Sequence, residues 1–277
     1  MVLRSHIPQS VASGFIAVVK TSNVARQLVQ NQAVITLDID WAPDWVIDEA
    51  AAILMAEHVK ATWFITHQSP AIERLSQRAD LFELGMHPNF LPGSTHGDTE
   101  DEVFQHMRKL LPGATSMRTH ALHQSSPLLI KAAKDYGVTV DVSMLLPYAE
   151  HLKVHTRNLH GALLRRVPFF WEDDVEMAEH TPCWDMDAPL LNGPGLHVFN
   201  FHPIHVALNT TSPGVWESCK RQCPLHSWTT QFLQKHRYDG PGPRTLFQQL
   251  ARRLHGSGRT VSEIALAEEV QYGTIMP

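Results

Sequence analysis

The stretch Ala33-Val-Ile-Thr-Leu-Asp-Ile-Asp40 decides how the chain reads. Its apolar and β-branched start is too short for a helix and suits a strand buried on both faces. Asp38 and Asp40 follow, two residues apart, and on an extended strand such a pair points to one side. Two carboxylates that close do not both ionise comfortably unless a cation lies between them or one keeps a proton. The functional reading makes one a metal ligand and the other a general base; the alternative is an N-cap or a salt-bridged pair at a strand terminus.

Outward from this strand, short β-rich runs alternate with helical patterns. Asp44 to Val59 carries apolar Val46, Ile47, Ala50, Ile53 and Leu54 at helical spacing. Ala61 to Thr66 reads as the next strand, Ser69-Pro70 opens a helix to about Arg78, and Leu81 to Met86 returns as a strand. A Pro- and Gly-dense loop from His87 to Gly97 leads to an acid-started helix over 98–111, then strand 115–119, a helix from Ser126 and strand 138–142. Further strands are expected at 163–169 and 196–201. This succession predicts an α/β fold, a distorted β/α barrel with nearer seven strands than eight, in which chemistry belongs at the C-terminal strand ends. The expected layout is an N-terminal extension over 1–30, the barrel over 31–210, and a C-terminal extension over 211–277 with helices at 243–254 and 261–269.

Composition limits the possible functions. The chain has 277 residues with 23 Lys+Arg against 28 Asp+Glu, a net charge of −5, so it offers no electrostatic case for nucleic acid or an anionic membrane. No apolar run reaches the roughly 20 residues of a membrane span, and Phe15-Ile-Ala-Val-Val19 is too short for a signal-peptide core. Three cysteines argue against a disulfide framework and fit a reducing compartment, so the expected location is cytoplasmic. A homo-oligomer is compatible with this composition. Cys219-x₃-Cys223-x₂-His226 with Cys183 is the weaker alternative of a structural zinc site, since the tail lacks a second pair.

The unusual number is 18 His. Imidazole is the commonest metal ligand and the acid/base group nearest neutral pH. At the expected strand ends stand Asp38 and Asp40, Thr66 and His67, His87 with Asn89, Arg118 with His120, Asp141, and His202 with His205. His87 precedes a proline, which holds it extended, and the loop after it can return His96 to the same point. Asn89 is a neutral oxygen ligand on the same loop, and His202 is the better placed of its pair to protonate a leaving group. Asn89, His120, Trp171 and His205 are the candidate substrate contacts. Trp171, beside Glu172, Asp173 and Asp174, reads either as a sugar-binding edge or as a packed Trp at an acidic helix start.

Leu37-Asp38-Ile-Asp40-Trp41, Ala61-Thr-Trp-Phe-Ile65, Glu83-Leu-Gly-Met-His87, Met117-Arg118-Thr-His120 and Phe199-Asn-Phe-His202-Pro203 together resemble the successive motifs of the polysaccharide deacetylases, the NodB-homology group or carbohydrate esterase family 4. The resemblance runs from about Ala33 to Asn209. It implies a distorted (β/α)₇ barrel and metal-dependent hydrolysis, usually with zinc, of acetyl groups on amino sugars. It further implies Asp38 as base, Asp40 and His87 as metal ligands, Arg118 as the group orienting the base, and His202 as general acid.

Two positions depart from the family pattern. Its adjacent aspartates, T-F-D-D-G, are spaced here as Asp-Ile-Asp, and its second metal-binding His is replaced by Leu91. The resemblance then leaves His96 or Asn89 to complete the triad. His87-Pro-Asn-Phe-Leu-Pro-Gly-Ser94 and Phe169-Phe-Trp-Glu-Asp-Asp174 are similar to a divergent, WalW-like branch associated with lipopolysaccharide biosynthesis. The expected function is removal of an acyl group from an N-acylated amino sugar. The alternatives are an amidohydrolase of small amides or cyclic imides with altered or absent metal, and a sugar-binding barrel without catalysis.

Overall fold

A computed structural model describes residues 33–272, apart from the side chains of His226 and of 268–272. The expected 1–30 extension lies outside the described residues. Nine strands form one sheet: β1 (Ala33–Asp38), β2 (Ala61–Ile65), β3 (Phe82–Met86), β4 (Ser116–Met117), β5 (Val140–Asp141), β6 (His155–Leu159), β7 (Ala162–Arg166), β8 (Trp171–Glu172) and β9 (His197–Phe201), in the order β6-β7-β5-β4-β3-β2-β1-β9-β8. Among the described residues, only β6 runs antiparallel to its neighbour. β1 lies at the centre, parallel to β2 through Ile35↔Ala61 and to β9 through Ile35↔Phe199. All six of its residues are buried, as its apolar composition requires.

The run from β7 to β8 curls the sheet on itself. Val167 N–H donates to Asp141 O beside β5, Phe169 N–H to Met144 O, and Phe170 N–H to Val198 O on β9. A single segment thus touches both flanks. Counting it once and setting β6 aside leaves seven barrel strands, in line with the expected (β/α)₇ count.

Crossover helices cover the sheet: α1 (Asp44–Ala56), α2 (Pro70–Ser76), α3 (Glu100–Leu110) and α4 (Ser126–Asp135). α1 buries Val46, Ile47, Ala50, Ala51 and Leu54, the stripe its spacing predicts. α3 opens on a capping box in which Glu102 N–H donates to Thr99 Oγ1 while Glu102 Oε2 accepts from Thr99 N–H. An N-cap of this kind is worth about 1 kcal/mol and fixes where the loop after β3 ends.

The region beyond 143 holds more structure than its sequence suggests. β6 and β7 form a hairpin through His160-Gly161, at φ 53° and 94°, a two-residue turn with both central residues left-handed. α5 (Asp173–Glu176) and α6 (Pro203–Leu208) start directly after β8 and after His202. Among the described residues of the C-terminal part there are α7 (Pro213–Gln222), α8 (Thr230–His236), α9 (Pro243–Arg253) and α10 (Val261–Tyr272). The start of α10 docks under the barrel, where Val261 N–H donates to Thr62 Oγ1 and Ser262 gives both its N–H and its hydroxyl to Glu83. No described helix is long and apolar enough to cross a membrane.

Candidate active site

Asp38 closes β1 and is almost fully buried. Its Oδ1 accepts from Arg118 Nη1 at 3.0 Å and its Oδ2 from Asn200 Nδ2 at 2.9 Å. Arg118, itself wholly buried, lies between the rings of Phe64 and Phe169, with its guanidinium carbon 4.6 and 4.3 Å from their centroids. It also donates to Thr36 Oγ1, to Asn200 Oδ1 and to Val142 O. A guanidinium so confined holds the Asp38 carboxylate in one orientation.

Asp40 reaches the same site by another route than strand alternation. β1 ends at Asp38, and Asp40 occupies a turn with φ at 39°, so the extended-strand expectation is replaced by a left-handed backbone. Its Oδ1 is buried and makes no hydrogen bond of good geometry. That atom faces His87 Nε2 at 3.2 Å and His120 Nδ1 at 3.3 Å, and Oδ2 faces His202 Nε2 at 3.6 Å. Burial alone would raise the Asp40 carboxyl, but His120 and His87 beside it and the charge of His202 hold it well below the usual range. Burial would likewise lower His87, and the charges of Asp38 and Asp40 raise it instead. His87 Nδ1 is 2.7 Å from Arg118 O, to which it can only donate, so Nε2 is the nitrogen turned toward Asp40.

Asp40, His87 and His120 therefore converge, with ligand atoms all within 4.8 Å of one another. One carboxylate and two imidazoles, whose nitrogens face the same buried oxygen outside good hydrogen-bond geometry, form a donor set that fits a divalent cation such as zinc. His120, expected as a substrate contact, takes the place expected for His96. The cause is the short 3₁₀ turn His120–Leu122, in which Ala121 and Leu122 are both left-handed and His120 N–H is tied to Pro88 O.

His96 does not join the cluster. Its Nδ1 accepts from Asn89 N–H at 3.0 Å and its Nε2 donates to Thr66 O at 2.9 Å, so both ring nitrogens serve to pin the loop. Burial lowers its pKa to about 4, and the ring stays neutral. Asn89 turns its amide oxygen to Leu91 N–H within that loop.

On the opposite flank, His202 N-caps α6 and is almost fully buried. Asp173, at the start of α5, accepts from His202 Nδ1 at 2.7 Å and from His202 N–H at 2.8 Å. Burial alone would lower the imidazole, but the charges of Asp174 and Asp173 raise it well above its ordinary value. His205 Nδ1 is hydrogen-bonded with Thr210 Oγ1 at 3.1 Å and its Nε2 faces Asp174 Oδ1 at 2.8 Å, so both ring nitrogens already have partners within the protein.

Glu172 completes the floor. Its Oε1 accepts from Asn200 Nδ2 at 2.9 Å, the same amide group that holds Asp38. Burial pushes its carboxyl up to about 7, opposed by the charge of His202. Trp171, a candidate substrate contact that reads either as a sugar-binding edge or as a packed Trp at an acidic helix start, is 1 % exposed and is the packed residue. It packs against Phe201 and Trp184 and donates from Nε1 to Glu176 Oε2 at 2.7 Å. The alternation along β8 puts Trp171 in the core and Glu172 in the site.

Glu172 and Asp173 stand out in the sequence only as acids beside Trp171, without the places at Asn200 and His202 that they take here, and Asn200 is not singled out as a site residue. A signal existed for Asn200, two residues before His202 on a strand and so on the same side. Of the weaker cysteine site, Cys219 is buried, no metal-holding group among the described residues includes a cysteine, and the side chain of His226 lies outside them.

Comparison with known proteins identifies the family of the chain. A crystal structure of WbmS from Bordetella bronchiseptica, assigned as a polysaccharide deacetylase involved in O-antigen biosynthesis, is 33% identical. It superposes with a TM-score of 0.71 over 80% of this chain and 90% of that one. The 4-α-glucanotransferase of Thermococcus litoralis shares 12% identity at a TM-score of 0.46, covering 85% of this chain and 38% of that one. BA3943, a family 4 pseudoenzyme of Bacillus anthracis, shares 12% at 0.40 over 84% of this chain and 65% of that one. No curated protein matches the chain. The family model of the WbmS-like polysaccharide deacetylases matches residues 35–220, a span that holds every site residue described above, and the chain belongs to that family.

Proposed function

We propose that this protein is a metal-dependent hydrolase that removes an acyl group from an N-acylated amino sugar, acting on a precursor of a cell-surface polysaccharide such as an O-antigen. One observation supports this reading above all. A carboxylate fixed by a buried arginine lies 3.9 Å from His87 Nε2, which itself faces Asp40, and an imidazole fixed by a buried carboxylate lies 3.6 Å from the other oxygen of that Asp40.

Asp40, His87 and His120 would hold the metal, which when bound polarises the acyl carbonyl and stabilises the charge that develops on its oxygen. Asp38 accepts the proton of the attacking water; Arg118 and Asn200 occupy one lone pair on each of its oxygens and keep it oriented. His202 then delivers a proton from Nε2 to the departing amine nitrogen. Asp173 on Nδ1 fixes the ring and keeps it cationic until that moment. Three unpaired cysteines suit a cytoplasmic setting, where the substrate is a nucleotide- or lipid-linked sugar before export.

Acetate release from N-acetylhexosamine precursors by zinc-loaded protein tests the proposal. Asp38→Asn is expected to lower the rate about 10²- to 10⁴-fold. Release of no acetate with zinc, cobalt or manganese, or an unchanged rate in Asp38→Asn, would overturn it.

A further inference from the structure

Trp41 has no role in the chemistry above, yet its backbone is the least expected in the site. Asp40 and Trp41 are consecutive left-handed residues, at φ 39° and 55°. For a residue as bulky as Trp this region is disfavoured, and glycine builds such a turn at no steric cost. The turn is nevertheless closed firmly: Ala42 N–H donates to Ile39 O at 2.7 Å, and Trp41 N–H to Thr66 Oγ1 at 3.2 Å. Strained backbone of this kind persists where the surrounding structure needs the side chain in that place.

That place is the rim of the Asp40–His87–His120 cluster. The indole meets the His120 ring edge-on, with centroids 5.3 Å apart and planes at 85°. It also leans on the His96 ring at 5.6 Å. His96 is in turn pinned by Thr66 O and Asn89 N–H, and its far side stacks on His106 at 4.8 Å. The stacked pair of His96 and His106 thus backs the indole, and His120 meets it separately at a right angle. Trp41 is only half-buried, so the residue keeps solvent access at this rim.

We propose that Trp41 is a substrate-stacking wall. Its indole packs against the C–H face of the sugar ring whose acyl group lies at the cluster, and so selects a pyranose over a small amide. The inference rests on the acylated-sugar reading above. A rigid, amphipathic ring braced by imidazoles is suited to that contact, since aromatic packing favours flat apolar faces with polar rims. The ordinary role of a buried Trp, filling the core, belongs to Trp171 and Trp63, which are fully enclosed.

The test compares Trp41→Phe and Trp41→Ala in two formats on full-length, zinc-loaded protein. The probes are the methyl glycosides of N-acetylglucosamine, N-acetylgalactosamine and N-acetylmannosamine. In the Asp38→Asn background, equilibrium binding is read by saturation transfer to the sugar ring protons and by titration. Trp41→Ala is expected to weaken binding at least about tenfold, the size of one aromatic contact, and Trp41→Phe to retain most of it. In the active protein the loss appears in KM with kcat little changed, and zinc affinity stays the same in both variants.

Binding within twofold of the parent in Trp41→Ala overturns the wall. So does a parallel loss of zinc affinity, which would make Trp41 a support for His120. Sugar bound by the parent and lost in Trp41→Ala upholds the wall even where no acetate is released, an outcome that defeats only the hydrolase reading. A parent that binds none of the three glycosides overturns the wall itself.

Discussion

The two flanks of the site treat their polar atoms in opposite ways. In the His202 flank both oxygens of the Asp173 carboxylate are engaged: Oδ1 holds His202 Nδ1 and the Asp174 N–H, and Oδ2 holds the His202 N–H, which leaves only Nε2 of the ring turned to the site. In the Asp40 flank the buried Oδ1 has no hydrogen-bond donor in good geometry and faces two imidazole nitrogens at 3.2–3.3 Å. Leaving a buried acceptor unmatched costs roughly 1–3 kcal/mol, which a structural network avoids. The saturated flank is built to hold one proton in one place. The unsaturated flank, which also carries the left-handed Asp40, is built to receive something.

The sharpest way to break this contrast is to mutate the third ligand. His120→Ala is expected to lower zinc affinity well beyond the roughly 10- to 100-fold that loss of a supporting hydrogen bond costs. His96→Ala should leave affinity within a few fold, because neither of its ring nitrogens faces the cluster. Competition against a chelating dye reads both, and the reverse ranking would place the metal on the loop instead.

Next in size is the saturated flank. Asp173→Asn should keep zinc and lower kcat about 10²-fold or more by loosening the imidazole. The sign of its pH effect follows from the charges. His202 must be protonated to act, activity is lost as pH rises through its pKa, and Asp173 is, with Asp174 and Asp40, one of the three carboxylates that raise that pKa. The alkaline limb of the rate profile should therefore move to lower pH in Asp173→Asn. An unmoved limb would assign it to a group other than His202.

The contrast also explains what the sequence could and could not reveal. Buried parallel strands announce themselves as apolar runs, so β1, β2 and β9 were legible to within a residue or two, and the ionisable groups at their ends with them. β6 is exposed and polar, His155-Thr-Arg-Asn-Leu159, and carries no such signal. Asp38, His87, Arg118 and His202 project from strand ends, where position follows from register. His120 depends on a left-handed 3₁₀ turn, and His96 on two backbone hydrogen bonds across the loop, which no spacing rule contains. Asp173 meets His202 across 29 residues, a pairing set only by β8 lying beside β9. Trp171 misled because an aromatic beside three acids looks like a sugar edge, whereas the preceding apolar run of Val167 to Phe170 already implied a buried strand.

The smallest expected effect concerns Glu172, which joins the flanks through Asn200. With its carboxyl raised to about 7 by burial, the native protein retains a proton that the unfolded chain gives up near its ordinary value of 4.5. Between those values the native state binds more protons than the unfolded one, so this group's contribution to stability falls as pH rises. Glu172→Gln removes that fall. Chemical denaturation of the metal-free protein should show the variant gaining on the parent from pH 5 to pH 8, by about 1–3 kcal/mol at the upper end. Zinc in the neighbouring cluster brings positive charge toward Glu172 and should shrink the gain, because a nearby cation lowers a carboxyl pKa. A gain that zinc does not change would mean that the two flanks, though bridged by one amide, titrate independently.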